Sequence, residues 1–225
     1  MSTHGNVTVR AATVVIALLG GCASARVKPD DMSAAAHRAE ARDERRAAAT
    51  EKRAYDPSQT TEHVEILVDA AAAGGGAVVR TDSNPTAAHL QNADEAMEHA
   101  KAHDKAAREL ENFEDKECAG IPSRDRFACP ITGRVTRVET TQDGVRLYPA
   151  QSATVADVTA RMRCHYAFAQ ARGFDDSDSC PLYIKGLTIR LSSDQQAIEL
   201  AGASPTVIAE IQRRTRAGYP SARTH

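Results

Sequence analysis

Hydrophobic and polar positions divide the chain into three regimes. Residues 11–19 form one short apolar run broken only by Thr13. Residues 31–118 repeat small apolar side chains at helical spacing among many charges. Beyond Cys129 the spacing tightens toward two, the period of a half-buried strand.

From residue 31 to residue 55 the chain is rich in strong helix formers, yet between Met32 and Tyr55 its only nonpolar residues are alanines. Such a helix is either solvated or leans on a partner. Pro57 ends it. Residues 60–82 hold a brief apolar run at 64–68 and the glycines Gly74, Gly75 and Gly76, which predicts a mostly irregular linker over 56–84 with one short strand. A second helix begins at SNPT, with Asn84 as cap and Pro85 at the first helical position, where a missing N–H goes unused. It continues to about Cys118, ahead of Gly120 and Pro122, and spans about 50 Å. Leu90, Ala93, Met97, Ala100, Ala107, Leu110 and Phe113 make one narrow stripe on it. The fragments AAHRAEA (35–41) and AAHLQNA (87–93) share Ala-Ala-His with alanine four residues on. The two helices are therefore expected to pair as an antiparallel hairpin.

Residues 119–217 read as a unit of their own. GRVTRVETTQDGVRLYP predicts two strands around the turn signal Asp143-Gly144. A helix follows, with Thr154 and Asp157 in capping-box positions, Val155, Val158, Met162 and Ala169 on one face, and Gly173 at its end. The pattern then recurs. Leu187, Ile189 and Leu191 alternate, a Ser-Ser-Asp turn leads to Ile198 and Leu200, and Ser204-Pro205 opens a last helix carrying Val207, Ile208 and Ile211. Both halves begin Cys-Pro, at Cys129 and Cys180. The order ββαββα is similar to that of a ferredoxin-like fold with its last strand moved to the front, an analogy of topology that carries no function. The fold class expected is α+β: a helical hairpin, then a four-stranded antiparallel sheet with two helices on one face. The other face carries Arg146, Tyr148, Thr188, Arg190 and Glu199, and residues 218–225 form a tail.

The 225 residues contain 4% aromatics and no tryptophan, so the core must be small and aliphatic. A net charge of −2 leaves no basic footprint for nucleic acid. The apolar run at 11–19 is too short to span a bilayer, which takes roughly 20 residues. It follows a polar segment carrying Arg10 and precedes small residues, the order of a secretory signal peptide. Its ending, Leu19-Gly20-Gly21-Cys22, resembles the lipobox of bacterial lipoproteins. That resemblance implies diacylglyceryl transfer to Cys22 and cleavage before it, leaving residues 1–21 as signal peptide and 22–30 as a tether. Acyl chains add about 0.8 kcal/mol per buried methylene, enough for stable anchoring when several are attached. Ala23, where an aspartate would imply retention in the inner membrane, implies the periplasmic face of the outer membrane.

Five cysteines are present, and setting Cys22 aside leaves Cys118, Cys129, Cys164 and Cys180. In an oxidising compartment an even number predicts two disulfides. Of the three connectivities, loop closure favours the short loops, Cys118 with Cys129 and Cys164 with Cys180.

Two clusters suggest metal chemistry. In EAMEHAKAH, His99 and His103 stand at i and i+4, so two imidazoles share a helix side as they do in zinc sites. Glu95 and His103 are too far apart to share the ion, and a third ligand would come from His37, His63 or His89. Against this, no HExxH motif is present, and a charged helix face needs no metal. In MRCHY, Met162, Cys164 and His165 offer donors suited to copper, unless Cys164 is in a disulfide and Met162 in the core. No GxSxG elbow or phosphate loop occurs, and Asp175, Asp176 and Asp178 lack the glycine and glutamate of a calcium loop. The expectation is a non-catalytic binding or scaffold module, anchored to the membrane through Cys22. It would hold its domain away from the bilayer on the helical hairpin and engage an envelope protein or polymer. The alternative is a copper or zinc chaperone or buffer using His99, His103 and His165.

Overall fold

The computed structural model describes residues 27–68, 76–174 and 179–218. The lipobox, Cys22, the triple glycine through Gly75, the aspartates 175–178 and the tail beyond residue 218 lie outside them. The architecture is α+β, as the alternation of patterns requires.

Helix α1 (Ala34–Ala54) starts at Ser33, whose side chain accepts from the Ala36 N–H. Helix α2 (Ala88–Glu117) runs back along it. Between them the chain departs from expectation. In place of an irregular linker, β1 (Thr61–Val68) and β2 (Gly76–Ser83) form a two-stranded antiparallel arm, paired from Thr61↔Ser83 to Val68↔Gly76. The two strands bond only to each other, along their facing edges, and no local pattern announces such pairing. Asn84 caps a turn rather than the helix: its Oδ1 accepts from the Thr86 N–H at 2.8 Å, and α2 begins four residues later.

The helical pair is antiparallel and its seam is alanine. Ala34, Ala41 and Ala48 on α1 recur every seven residues, as do Ala93, Ala100 and Ala107 on α2, and none is more than 7% exposed. Seven residues is close to two helical turns, so each set makes a straight row. Of the large members of the predicted stripe, Leu110 is buried while Leu90 and Phe113 at its two ends are exposed, and Ala106, outside the stripe, is buried as well. Ion pairs flank the seam, including Arg38 Nε to Glu111 at 2.9 Å and Arg45 with Asp104, together with a hydrogen bond between His89 Nδ1 and Glu51 at 2.6 Å.

Strands β3 (Val135–Thr141) and β4 (Gly144–Pro149), then β5 (Leu187–Leu191) and β6 (Ile198–Gly202), form one antiparallel sheet in the order β3-β4-β6-β5. This is the order that the permuted topology requires. The β3–β4 turn is Gln142-Asp143, one residue earlier than the Asp-Gly signal suggests, because Thr141 pairs with Gly144. Gly144 is needed for another reason: a Cβ there would stand 1.9 Å from the Leu200 carbonyl oxygen of β6.

Register places Val138, Val145, Leu147, Ile198 and Leu200 on one sheet face, where α3 (Val155–Ala171) and α4 (Pro205–Gly218) cover them with Val158, Met162 and Ile211. Thr154 caps α3 by accepting from the Asp157 N–H, and Gly173 ends it at φ 76°. Helix α3 is also buried on its far side, where Ala171 meets Ala34, Ala107 and Leu110 of the hairpin. No helix among the described residues is long and apolar enough to cross a membrane.

The segment before α1 returns to this body: Lys185 pairs with Asp30 at 3.4 Å. The hairpin therefore does not separate the sheet domain from the segment just before α1. Being antiparallel, it brings the end of α2 back to the start of α1 and carries the β1–β2 arm outward. The 21 residues of α1 give a projection of about 30 Å.

Candidate functional site

Two disulfides converge on the start of the sheet domain. Cys118, at the C-terminal end of α2, bonds Cys164 in the middle of α3, and Cys129 bonds Cys180. Both pairings overturn the short-loop expectation. The bonded residues are 46 and 51 positions apart, and each doubling of loop length costs only about 0.6 kcal/mol, so packing decides the partners. Cys164 points from α3 toward α2, away from Cys180. The repeated Cys-Pro dipeptides mark the other pair, since the two cysteines that open the ββα halves are the two that bond.

His165 sits against the second disulfide, 2% exposed. Its Nδ1 lies 2.7 Å from the Arg126 carbonyl oxygen, which can only accept, so Nδ1 carries the proton. Nε2 is left with its lone pair, 3.5 Å from Cys180 Sγ. Tyr183 covers the ring at 5.0 Å between centroids. Burial pushes the imidazole below its usual value, opposed by the bond to Arg126. Arg126 is itself held by Glu114 of α2 at 3.0 Å, which ties the position of its carbonyl to the hairpin. Beside the disulfide opens a cleft of about 290 Å³, lined by Cys129, Cys164, Pro130, Asp125, Arg134 and Arg161 among others. MRCHY is thus divided: Cys164 is bonded, Met162 is in the core, and His165 turns to a different cysteine.

The histidines of the hairpin are drawn into cross-helix contacts. His103 Nδ1 meets His37 Nδ1 at 3.0 Å, while His99 Nδ1 lies 3.8 Å from Glu44. Of the three suggested third ligands, His37 comes to His103. His63 is exposed on β1, and His89 pairs with Glu51.

The solvent face of the sheet carries the residues expected there, joined as ion pairs. Glu199 binds Arg146 at 2.7 Å and Arg190 at 2.8 Å, which lowers its carboxyl below the usual range. Tyr148 donates to Glu139 at 2.7 Å beneath the Arg137 guanidinium. Arg146 and Arg190 share the single Glu199 carboxylate, while Arg137 pairs with Glu139, so part of the positive charge on this face is compensated.

No known protein family, curated protein or solved structure matches the chain.

Proposed function

We propose that this chain is a lipid-anchored module on the periplasmic face of the outer membrane that works by binding an envelope partner. The lipobox-like LGGC supplies the anchor at Cys22. The observation that carries the reading is the return of the pre-helical segment to the body through Asp30 and Lys185. A tether that begins there sets the disulfide-stapled domain near the membrane and directs the β1–β2 arm away from it. Thr61, Glu62, His63 and Val64 of β1, with the β2 residues from Val79 to the end of the strand, are all exposed, as a displayed surface requires. Among the described residues neither strand pairs with a third, and two such edge strands suit β-strand addition by a partner.

The test is acyl labelling and membrane fractionation of the full chain against Cys22→Ser in a Gram-negative host, followed by photo-crosslinking from position 79. Anchoring requires that Cys22→Ser stop labelling and release the protein. Display requires a crosslinked partner from position 79 that is absent when the crosslinker is placed at the buried Leu147. Unchanged processing in Cys22→Ser removes the anchor from the reading. The alternative of metal handling is favoured by one observation, the grouping of Cys129, His165 and Cys180.

A further inference from the structure

Cys129, His165 and Cys180 bring three ligand atoms within 4.8 Å of one another, and no other group of histidine, cysteine or carboxylate donors among the described residues does so. We propose that reduction of the Cys129–Cys180 disulfide converts this trio into a site for a thiophilic cation of the zinc class, held by two thiolates and the His165 imidazole. The inference goes beyond the binding reading and does not depend on the anchor.

Geometry is close to what an ion would impose. Zn–S near 2.3 Å and Zn–N near 2.0 Å at a tetrahedral angle set sulfur and nitrogen about 3.5 Å apart. Cys180 Sγ and His165 Nε2 are 3.5 Å apart already. The tautomer is also the one required, since Nε2 faces the sulfur with its lone pair. Its Nδ1–H donates to the Arg126 carbonyl, the outer-shell bond that orients metal-binding histidines. The two sulfurs must separate to about 3.8 Å, which rotation of the half-buried Cys129 side chain allows. Cys129 lines the open cleft, which supplies an entry path and a fourth position for water.

The redox step balances with a dithiol as reductant. Its thiolate attacks Cys129 Sγ, the sulfur at the cleft. The S–S bond breaks, and Cys180 leaves as a thiolate that takes up a proton beside His165. The second thiol of the reductant then displaces Cys129, leaving a cyclic disulfide on the reductant. Two electrons and two protons have passed to the protein. Zn²⁺ binding then releases two thiol protons and leaves a site with no net charge.

The experiment titrates Zn²⁺ into the full chain before and after phosphine reduction, in competition with a chromophoric chelator, and maps alkylation by mass spectrometry. The expected result is one ion per reduced chain, two protons released, and Cys129 and Cys180 protected while Cys118 and Cys164 react. His165→Ala should weaken binding at least tenfold. A Cys118→Ala/Cys164→Ala chain, with only the proposed switch left to reduce, should behave alike. Should reduction unfold the chain, Zn²⁺ must restore its circular dichroism, because the free energy of binding is then free energy of folding. Equal binding by the oxidised protein, protection of Cys118 and Cys164 instead, indifference to His165→Ala, or a reduced chain left unfolded by excess Zn²⁺ would each overturn the proposal.

Discussion

His37 and His103 meet across the helical hairpin with their Nδ1 atoms 3.0 Å apart, and His37 Nε2 lies 3.2 Å from the Pro29 carbonyl oxygen. That oxygen only accepts, so His37 Nε2 carries the proton, its Nδ1 accepts, and His103 Nδ1–H donates. The chain fastens the turn before α1 to both helices. A proton on His103 charges a ring that burial disfavours.

Acid should therefore loosen the fold. Burial first, and then the neighbouring His37 ring, hold His103 below its usual value against the opposing carboxylates of Glu40 and Glu44. The unfolded chain takes the proton first, near pH 6.5, so this stability is complete above about pH 6.5 and falls as the pH drops below it. His165, also lowered by burial, adds in the same direction. The thermal midpoint should fall between pH 7.5 and pH 5, and fall less in His103→Ala. An equal fall in the variant would show that His103 contributes nothing to it.

The alanine seam should reject larger side chains. Ala41 and Ala100 are 0% exposed, and Ala100→Leu is expected to cost about 1–3 kcal/mol through overpacking. Ala47→Leu, on the exposed side of α1, should change stability little. Urea midpoints of the two variants test the contrast.

Peptide mapping without reduction should recover Cys118 with Cys164 and Cys129 with Cys180. Closing loops of 46 and 51 residues removes roughly 4 kcal/mol of chain entropy from the unfolded state for each bond. Cys118→Ala/Cys164→Ala should lower stability by about 2–4 kcal/mol. Its effect should include weaker docking of α2 on α3, read as faster amide exchange in the hairpin.

Gly144→Ala should be among the most damaging single-methyl changes. Its Cβ would collide with backbone of β6, which cannot move without breaking the β4–β6 ladder. A loss of about 1–3 kcal/mol is expected, against little for Gly218→Ala at the end of α4, where the added atom meets open space and the backbone is not left-handed.

Much of the local structure was legible in the residues. Thr154 marked the start of α3 and Gly173 its end, while alternation at Leu187, Ile189 and Leu191 and at Ile198 and Leu200 marked β5 and β6. The shared face of Arg146, Tyr148, Arg190 and Glu199 followed from the same period of two. The β1–β2 arm was hidden because its strands answer only each other, and a charged, exposed ribbon has no buried face to give it a period. His165 was visible as a donor beside Cys164, but its neighbour in the chain was not its neighbour in space.

By itself, then, the sequence determined every element but the β1–β2 arm, and their order: two alanine-rich helices, and a strand-strand-helix unit repeated behind Cys-Pro. Caps, turn residues and periods of 3.6 and 2 act over a few residues, and they can be read there. Only the tertiary structure decided which cysteines bond, where the hairpin points, and that His165 faces Cys180. Those outcomes depend on which side of α3 meets α2. The loop-closure difference between short and long pairings is about 1 kcal/mol for each bond, and the packing overrides it.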